Sequence, residues 1–427
     1  MHEEILALKY PLDPEISKKQ RVDVGDLTLV EKKGGKKERD SDRHRSSTSS
    51  SVLLDYYHFE VYLLACQEEA NAGYELVGKN GKKIVDNDVS QTGSLTPLLL
   101  AKAGYKVLGL TSVTGDTNAR DGAYHFAQLF SQGNMSCIPV FEGSSTPLVR
   151  TNESLHSWEE VWGNLVWEGA FRADYPTGDE QFPEGIPSEA LIRATQRMSA
   201  PEFLVEQVKK YPGQVSIVAA GPLTNLAIAQ RLYPQFTKDV KELVIMGGMF
   251  DTQYNFSSST EFVADLYSDF NFIFDPEAAQ IVLNGAEYPI TLVGNSANSL
   301  LNSTLENTTN SSIDEALSTH YFAKIFLENK GQTGFPLWDE STAAVLVDGS
   351  VSTKNLTVPV TVDTSSSAWS YGFLKLFNPK LLPKSSSRYG NTTAIALSID
   401  VPKFQDMIVD ALVADWSSYC DDHDYSS

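Results

Sequence analysis

Two aspartates two residues apart, Asp86 and Asp88, close the apolar run KKIVDND at residues 82–88. Paired carboxylates at the end of a strand can reach one hard cation or position one water; the structural alternative is an Asx-turn leaving the sheet. Other reactive types stand at the ends of other apolar runs. Asp116 follows YKVLGLTSV, Thr224 lies in QVSIVAAGPLTN, and Gly247-Gly248 end ELVIM, where missing side chains let backbone approach a ligand. Asp269 and Asn271 open DFNFIFDPEAA, and Trp338, Asp339 and Glu340 lie in PLWDESTAAVL. Ordinary structural roles compete with chemistry at several of these positions. The Thr224 side chain reads as a helix cap, with its carbonyl left for a metal. Asp275-Pro276 reads as a helix start, and Asp339 and Glu340 suit the positive end of a helix in any protein. Asp269 and Asn271 have no evident structural task.

The runs that carry these residues are of strand length and mostly apolar enough to be buried on both faces: KKIVDND, YKVLGLTSV, QVSIVAAG, ELVIMGG, FNFIFD and YPITLVGN. Segments of helical spacing alternate with them, among them APEFLVEQVKKYPG and KFQDMIVDALV. Strand, helix, strand repeated in this way predicts an α/β fold, an open and mostly parallel Rossmann-like sheet with helices on both faces. Ligands in such folds sit beyond the C-terminal ends of the strands, where the acids are. Residues 82–413 form the expected domain, and 414–427 a C-terminal tail. Residues 1–81 are set aside as a disordered or non-native extension, because the first 50 are rich in Lys, Arg, Asp and Ser without apolar periodicity.

At 427 residues, 41% hydrophobic and 21% charged, the chain is long enough to bury a large core. Its net charge is −21, and residues 1–50 are nearly balanced, so the body is acidic. An acidic body repels phosphate backbones and anionic lipid heads; no nucleic-acid or membrane partner is expected, and small neutral or cationic ligands are favoured. The most apolar stretch, VLLDYYHFEVYLLAC at 52–66, carries Asp55, His58 and Glu60, so no transmembrane helix is expected. Eight Asn-x-Ser/Thr sequons (Asn134, Asn152, Asn255, Asn302, Asn307, Asn310, Asn355 and Asn391) exceed the roughly three or four that composition gives. They favour a secreted glycoprotein although the N-terminus reads as no signal peptide; a cytoplasmic location is the alternative. Cys66, Cys137 and Cys420 lack metal spacing and are odd in number, so they read as thiols rather than a disulfide framework.

Taken together, KKIVDNDVSQTG, GPLTN, ELVIMGG, DFNFIFDPEAA and PLWDESTAAVL, in this order, resemble the inosine-uridine-preferring nucleoside hydrolase family over about residues 82–413. The resemblance implies hydrolysis of the N-glycosidic bond of ribonucleosides, with calcium at the C-terminal end of the sheet and, in many members, dimers or tetramers. Asp88 then corresponds to the residue that binds calcium and takes a proton from the attacking water. Thr224 corresponds to a main-chain carbonyl ligand, and Asp339 to the aspartate closing the metal site. Ribose contacts fall on Asp116, Asn255, Asp269 and Asn271.

The chain departs from the family pattern at three places. Thr92 and Gly93 stand where the family has two aspartates, one for ribose and one for calcium, and Trp338 stands where many members have a histidine that protonates the leaving base. Asp116, with Asp86, is the available substitute carboxylate, and weak calcium binding would follow. An indole at 338, or at Trp158, Trp162 and Trp167 in HSWEEVWGNLVWEGAF, could stack on a purine; packing in the core or in a lid is the alternative. His156 is the one histidine worth testing as a proton donor. Two other functions stay open: a catalytically inactive nucleoside-binding protein on the same fold, and a haloacid-dehalogenase-like phosphatase using Asp86 and Asp88.

Overall fold

The computed structural model describes residues 81–88, 95–165, 167–175, 195–249, 269–294, 320–326, 337–382 and 392–422. Among these residues a ten-stranded sheet runs in the order β4-β3-β2-β1-β5-β6-β7-β10-β8-β9. Its strands are β1 (Lys82–Asn87), β2 (Lys106–Ser112), β3 (Val140–Phe141), β4 (Thr195–Gln196), β5 (Val215–Ala220), β6 (Val240–Ile245), β7 (Ile290–Leu292), β8 (Ser352–Val362), β9 (Leu374–Leu376) and β10 (Thr392–Ile399). Every pairing from β4 through to β10 is parallel, and only β8 and β9 join antiparallel. The expected open, mostly parallel α/β sheet is therefore present.

Period-2 alternation splits the apolar residues of the central strands between two cores. Ile84, Ile217 and Leu243 enter one with the helices Ala200–Lys210, Thr224–Leu232 and Pro276–Gly285; Val85, Val218 and Val244 enter the other with Thr96–Lys102, Ala119–Gln132, Trp338–Val347 and Val401–Leu412. Chain order reverses at β1, which has β2 on one side and β5 on the other. That is the switch point at which a parallel sheet opens a crevice beyond its strand ends. Asp88 leaves β1 there, and the Gly221–Thr224 turn leaves β5.

Local capping chemistry sets the helix starts. Ser199 and Glu202 cap Ala200–Lys210 reciprocally, with Pro201 in its first turn. The Asp275 carboxylate accepts the Ala278 N–H at 3.0 Å, with Pro276 at the first helical position. The run FNFIFD, expected as a strand, is instead the short helix Phe270–Phe274. Its aromatic content mimics a buried strand, but Asp269 caps it and Phe270 meets Phe274 one turn on, ring centroids 5.2 Å apart.

Cys137 and Cys420 form a disulfide with Cα atoms 5.6 Å apart, which corrects the expectation of free thiols. A sequence separation of 283 leaves no spacing signal to read. Cys66, which made the count odd, lies outside the described residues. Beyond residue 414, Trp416 and Tyr419 are buried in the same core as Phe404 and Ile408. No helix among the described residues is long and apolar enough to cross a membrane.

Candidate active site

Four carboxylates come together at the switch point. Asp88 follows β1 and is 3% exposed. Its Oδ2 accepts the Asp116 backbone N–H at 3.0 Å, and its carbonyl accepts the Thr117 hydroxyl at 2.8 Å, so the loop after β2 wraps around it. Two glycines leave the space it occupies: a Cβ at Gly115 would stand 2.0 Å from Asp88 Oδ2, and one at Gly221 3.0 Å from Asp88 Cβ. Burial, then the charges of Asp116 and Asp339, hold the Asp88 carboxyl well above the ordinary carboxylate range. Asp339 thus reaches β1 from the first turn of Trp338–Val347, where its Oδ2 accepts the Asn87 Nδ2–H at 3.1 Å. Asp269 joins through Asp116; burial first, with the Asp116 charge among the further contributions, raises its carboxyl to about 7.

Thr224, Asp269, Asn271 and Trp338 are placed in more detail than the sequence allowed. Thr224 does not cap its own helix; its hydroxyl donates to Asp275 Oδ2 at 2.6 Å, and Asp275 also takes the Leu148 N–H at 2.9 Å. Asp275 is raised to about 6, chiefly by burial. Asp269 does have a structural task, since it caps Phe270–Phe274 by accepting the Asn271 N–H at 3.1 Å. Asn271 is buried beside it, its amide donating to the Met246 carbonyl at 3.2 Å. Trp338 is half-buried next to Asp339. Asn255, Thr92 and Gly93 lie outside the described residues.

Asp86 does not join the acid cluster. Its Oδ1 accepts the Thr111 hydroxyl at 2.6 Å and Asn225 Nδ2–H at 2.8 Å, its Oδ2 has no hydrogen-bond partner, and burial raises it to about 7. Alternation alone would put Asp86 and Asp88 on one face, but β1 ends at Asn87 and Asp88 already lies in the turn beyond it, so Asp116 and not Asp86 is the carboxylate brought against Asp88. The work of Asn225 was not foreseen, although it stands in the GPLTN motif. Its amide also donates to the Ser112 carbonyl at 2.8 Å and its Oδ1 accepts the Ser144 N–H at 2.9 Å, joining the loops after β2 and β3 to β1.

The Trp-rich stretch divides. Trp158 is buried with Leu155, Leu165, Ile273 and Tyr371, its indole donating to the Ala368 carbonyl at 3.0 Å, so it is a packing residue. Trp162 is exposed. Trp167 alone reaches the acids, donating from Nε1 to Asp116 Oδ1 at 2.6 Å. The same segment is tied down by Ala170 N–H to the Gly115 carbonyl at 2.8 Å, and Arg172 lies over the Trp167 and Tyr175 rings.

The charges acting on Asp88 are both negative. Clustered carboxylate oxygens at a strand-end crevice are the donor set of a hard divalent cation, and a cation there would relieve their repulsion. Asp88 and Asp339 fit such an ion.

The family profile of the inosine-uridine preferring nucleoside hydrolases matches residues 83–406. The chain belongs to this family. Among its relatives, an uncharacterized protein of Schizosaccharomyces pombe is 35% identical over 349 residues, covering 79% of this chain and 87% of that one. Uridine nucleosidase 1 of Arabidopsis thaliana is 34% identical over 236 residues, 53% of this chain and 61% of its own length. The solved structure of an inosine-guanosine nucleoside hydrolase superposes with a TM-score of 0.60 at 21% identity, covering 78% of this chain and 98% of that one, and so shares the nucleoside hydrolase fold.

Proposed function

We propose that this nucleoside hydrolase family member cleaves the N-glycosidic bond of ribonucleosides, releasing base and ribose, with calcium held by Asp88, Asp339 and the Thr224 carbonyl. The observation that carries this reading is the meeting of Asp88, Asp116, Asp269 and Asp339 at the switch point. Breaking a ribosyl bond passes through an oxocarbenium-like state, which carboxylates around the sugar stabilise. When bound, calcium supplies Lewis-acid polarisation that makes water a better nucleophile.

The chain's own residues do the rest. Asp88, enclosed by the glycine-lined walls, takes the proton of the attacking water. Asp116, Asp269 and Asn271 take the ribose hydroxyls, and the two aspartates put negative charge beside the anomeric carbon. Asn87 keeps the Asp339 carboxylate turned toward β1. Trp338 has no proton to give a base ring; an indole face beside a purine instead supports protonation of the ring from solvent. Purine nucleosides are accordingly the proposed substrates, with inosine turned over faster than uridine.

The deciding experiment is base release from inosine, adenosine and uridine by the full chain, with millimolar calcium or with chelator, beside Asp88→Ala. Calcium-dependent release lost in Asp88→Ala is the expected result. Nucleoside binding by the folded protein without release in any condition would replace this reading with that of a binding protein on the same fold. Equal or faster uridine turnover would remove the purine preference alone.

Secretion into an oxidising, glycosylating compartment is proposed on two supports: the Cys137–Cys420 disulfide and the exposed sequons at Asn134 and Asn152. Glycosidase-sensitive mobility of the protein from its native cells tests it.

A further inference from the structure

Away from the four aspartates, the helix Asn152–Trp162 and the segment after it gather a second donor set. His156 and Glu159 stand one helical turn apart, and Glu168 comes from the chain just beyond; one ligand atom from each lies within 4.8 Å of the others. The set is one imidazole nitrogen and two carboxylate oxygens, which suits zinc and similar first-row dications rather than calcium, whose sites are built from oxygen. We propose that His156, Glu159 and Glu168 form a second metal site, for a zinc-type dication, that ties this helix to the segment holding Asp116.

Three features support a built site over a chance surface pair. Glu159 is a buried glutamate already oriented: its Oε1 accepts the Leu165 N–H at 2.8 Å, which leaves Oε2 to face His156 Nδ1 at 3.0 Å. The His156 ring is held by a further hydrogen bond to the Phe171 backbone, the kind of outer contact that orients metal-binding histidines. Asn152 Nδ2 donates to the same Phe171 carbonyl at 2.9 Å, so that anchor is itself fixed. The His156 side chain is 39% exposed and Glu168 is half-buried, so an ion can enter from solvent.

Around a tetrahedral ion with bonds of about 2.1 Å, ligand atoms stand roughly 3.4 Å apart. The His156–Glu159 pair is already that close at 3.0 Å, and the Glu168 ligand atom stands within 4.8 Å of both. Arg150, buried against Trp158 and Tyr371, contributes positive charge near Glu159 and offsets part of the charge of the two carboxylates. Three protein ligands leave a fourth position for solvent.

The consequence follows from what adjoins Glu168. Trp167 donates to Asp116 Oδ1, and Ala170 donates to the Gly115 carbonyl. An ion that fixes Glu168 therefore fixes the cover over the acid cluster. The site itself does not depend on the nucleosidase reading.

Its test is calorimetric titration of the full chain with zinc in calcium-containing buffer, beside His156→Ala and Glu168→Gln. The first removes one ligand and the second keeps its shape while removing its charge. Near-ultraviolet circular dichroism establishes that both variants are folded. One zinc per chain is expected in the parent, with the dissociation constant raised at least about tenfold in each variant. No zinc uptake by the parent, or uptake unchanged in both folded variants, overturns the proposal and leaves His156 and Glu159 as an ordinary ion pair.

Discussion

Asn87 and Asp339 are 252 residues apart in the chain and meet at the switch point, the Asn87 Nδ2–H donating to Asp339 Oδ2 at 3.1 Å. Through this bond the end of the first strand sets the direction of a carboxylate that arrives on a helix from the other end of the domain. Asn87→Ala removes the donor and leaves Asp339 facing Asp88, the charge it already repels. A hydrogen bond to a charged group is worth about 1.5–3 kcal/mol. The expected result is a fall of about tenfold or more in kcat/KM for base release and a higher calcium concentration for half-maximal rate, with the circular dichroism spectrum unchanged.

Gly115 is required by the position of Asp88 and not by its own backbone. A methyl group there would stand 2.0 Å from Asp88 Oδ2 and 2.7 Å from Pro222 Cδ, so the carboxyl must move. Displacement of a reacting group by about 1 Å costs on the order of 100-fold in rate. Gly115→Ala is expected to lower kcat by about that factor while KM changes little. An unchanged kcat in a folded Gly115→Ala protein would show that Asp88 does not work from the position described.

Much of this site was legible because the chemistry sits at strand ends. Apolar runs located β1, β2, β5, β6 and β7, and Asp88, Asp116 and Thr224 became candidates because they follow the first three of them. Asp88, Asp116 and Asp339 are brought together as that logic requires. It misread Phe270–Phe274, since a run of buried aromatics has no period that tells a five-residue helix from a strand. The same error hid the capping role of Asp269. Asn87 and Asn225 were passed over because amides look like turn residues in sequence; what distinguishes them is bonding to partners more than 80 residues away. The disulfide was hidden for a similar reason, its two cysteines being neighbours only in space.

Burial of the acids makes a prediction about stability and pH. The Asp269 carboxyl is raised to about 7, against an ordinary 3.8. The folded state therefore holds this proton more tightly than the unfolded state does. Stability from that source is complete below about pH 4 and is lost as pH rises through about 7. Asp269→Asn keeps a cap for the Phe270–Phe274 helix and removes the charge. Urea unfolding in chelator is expected to show the variant more stable than the parent at about pH 8, with the gain shrinking toward about pH 4. Base release should fall at the same time, the usual trade between activity and stability at a buried acid. An equal stability difference across that range would mean that Asp269 is not the group holding the proton.

The Cys137–Cys420 disulfide joins residues 283 apart, and on its C-terminal side it holds the short helix Tyr419–Asp422 near the buried rings of Trp416 and Tyr419. The Trp416 ring in turn meets Phe322 edge-on, with centroids 6.4 Å apart. A crosslink over so long a loop acts mainly by restricting the unfolded chain, and removing a native one costs about 2–5 kcal/mol. Cys420→Ser is expected to lower the melting temperature by several degrees, and reductant should lower it in the parent but not in the variant. Cys137 and Cys420 lie among packing residues and neither bonds any of the four aspartates, so calcium-dependent base release per folded molecule should be unchanged at temperatures well below the transition. A melting temperature insensitive both to reductant and to Cys420→Ser would show that the last helix is held by Trp416 and Tyr419 alone.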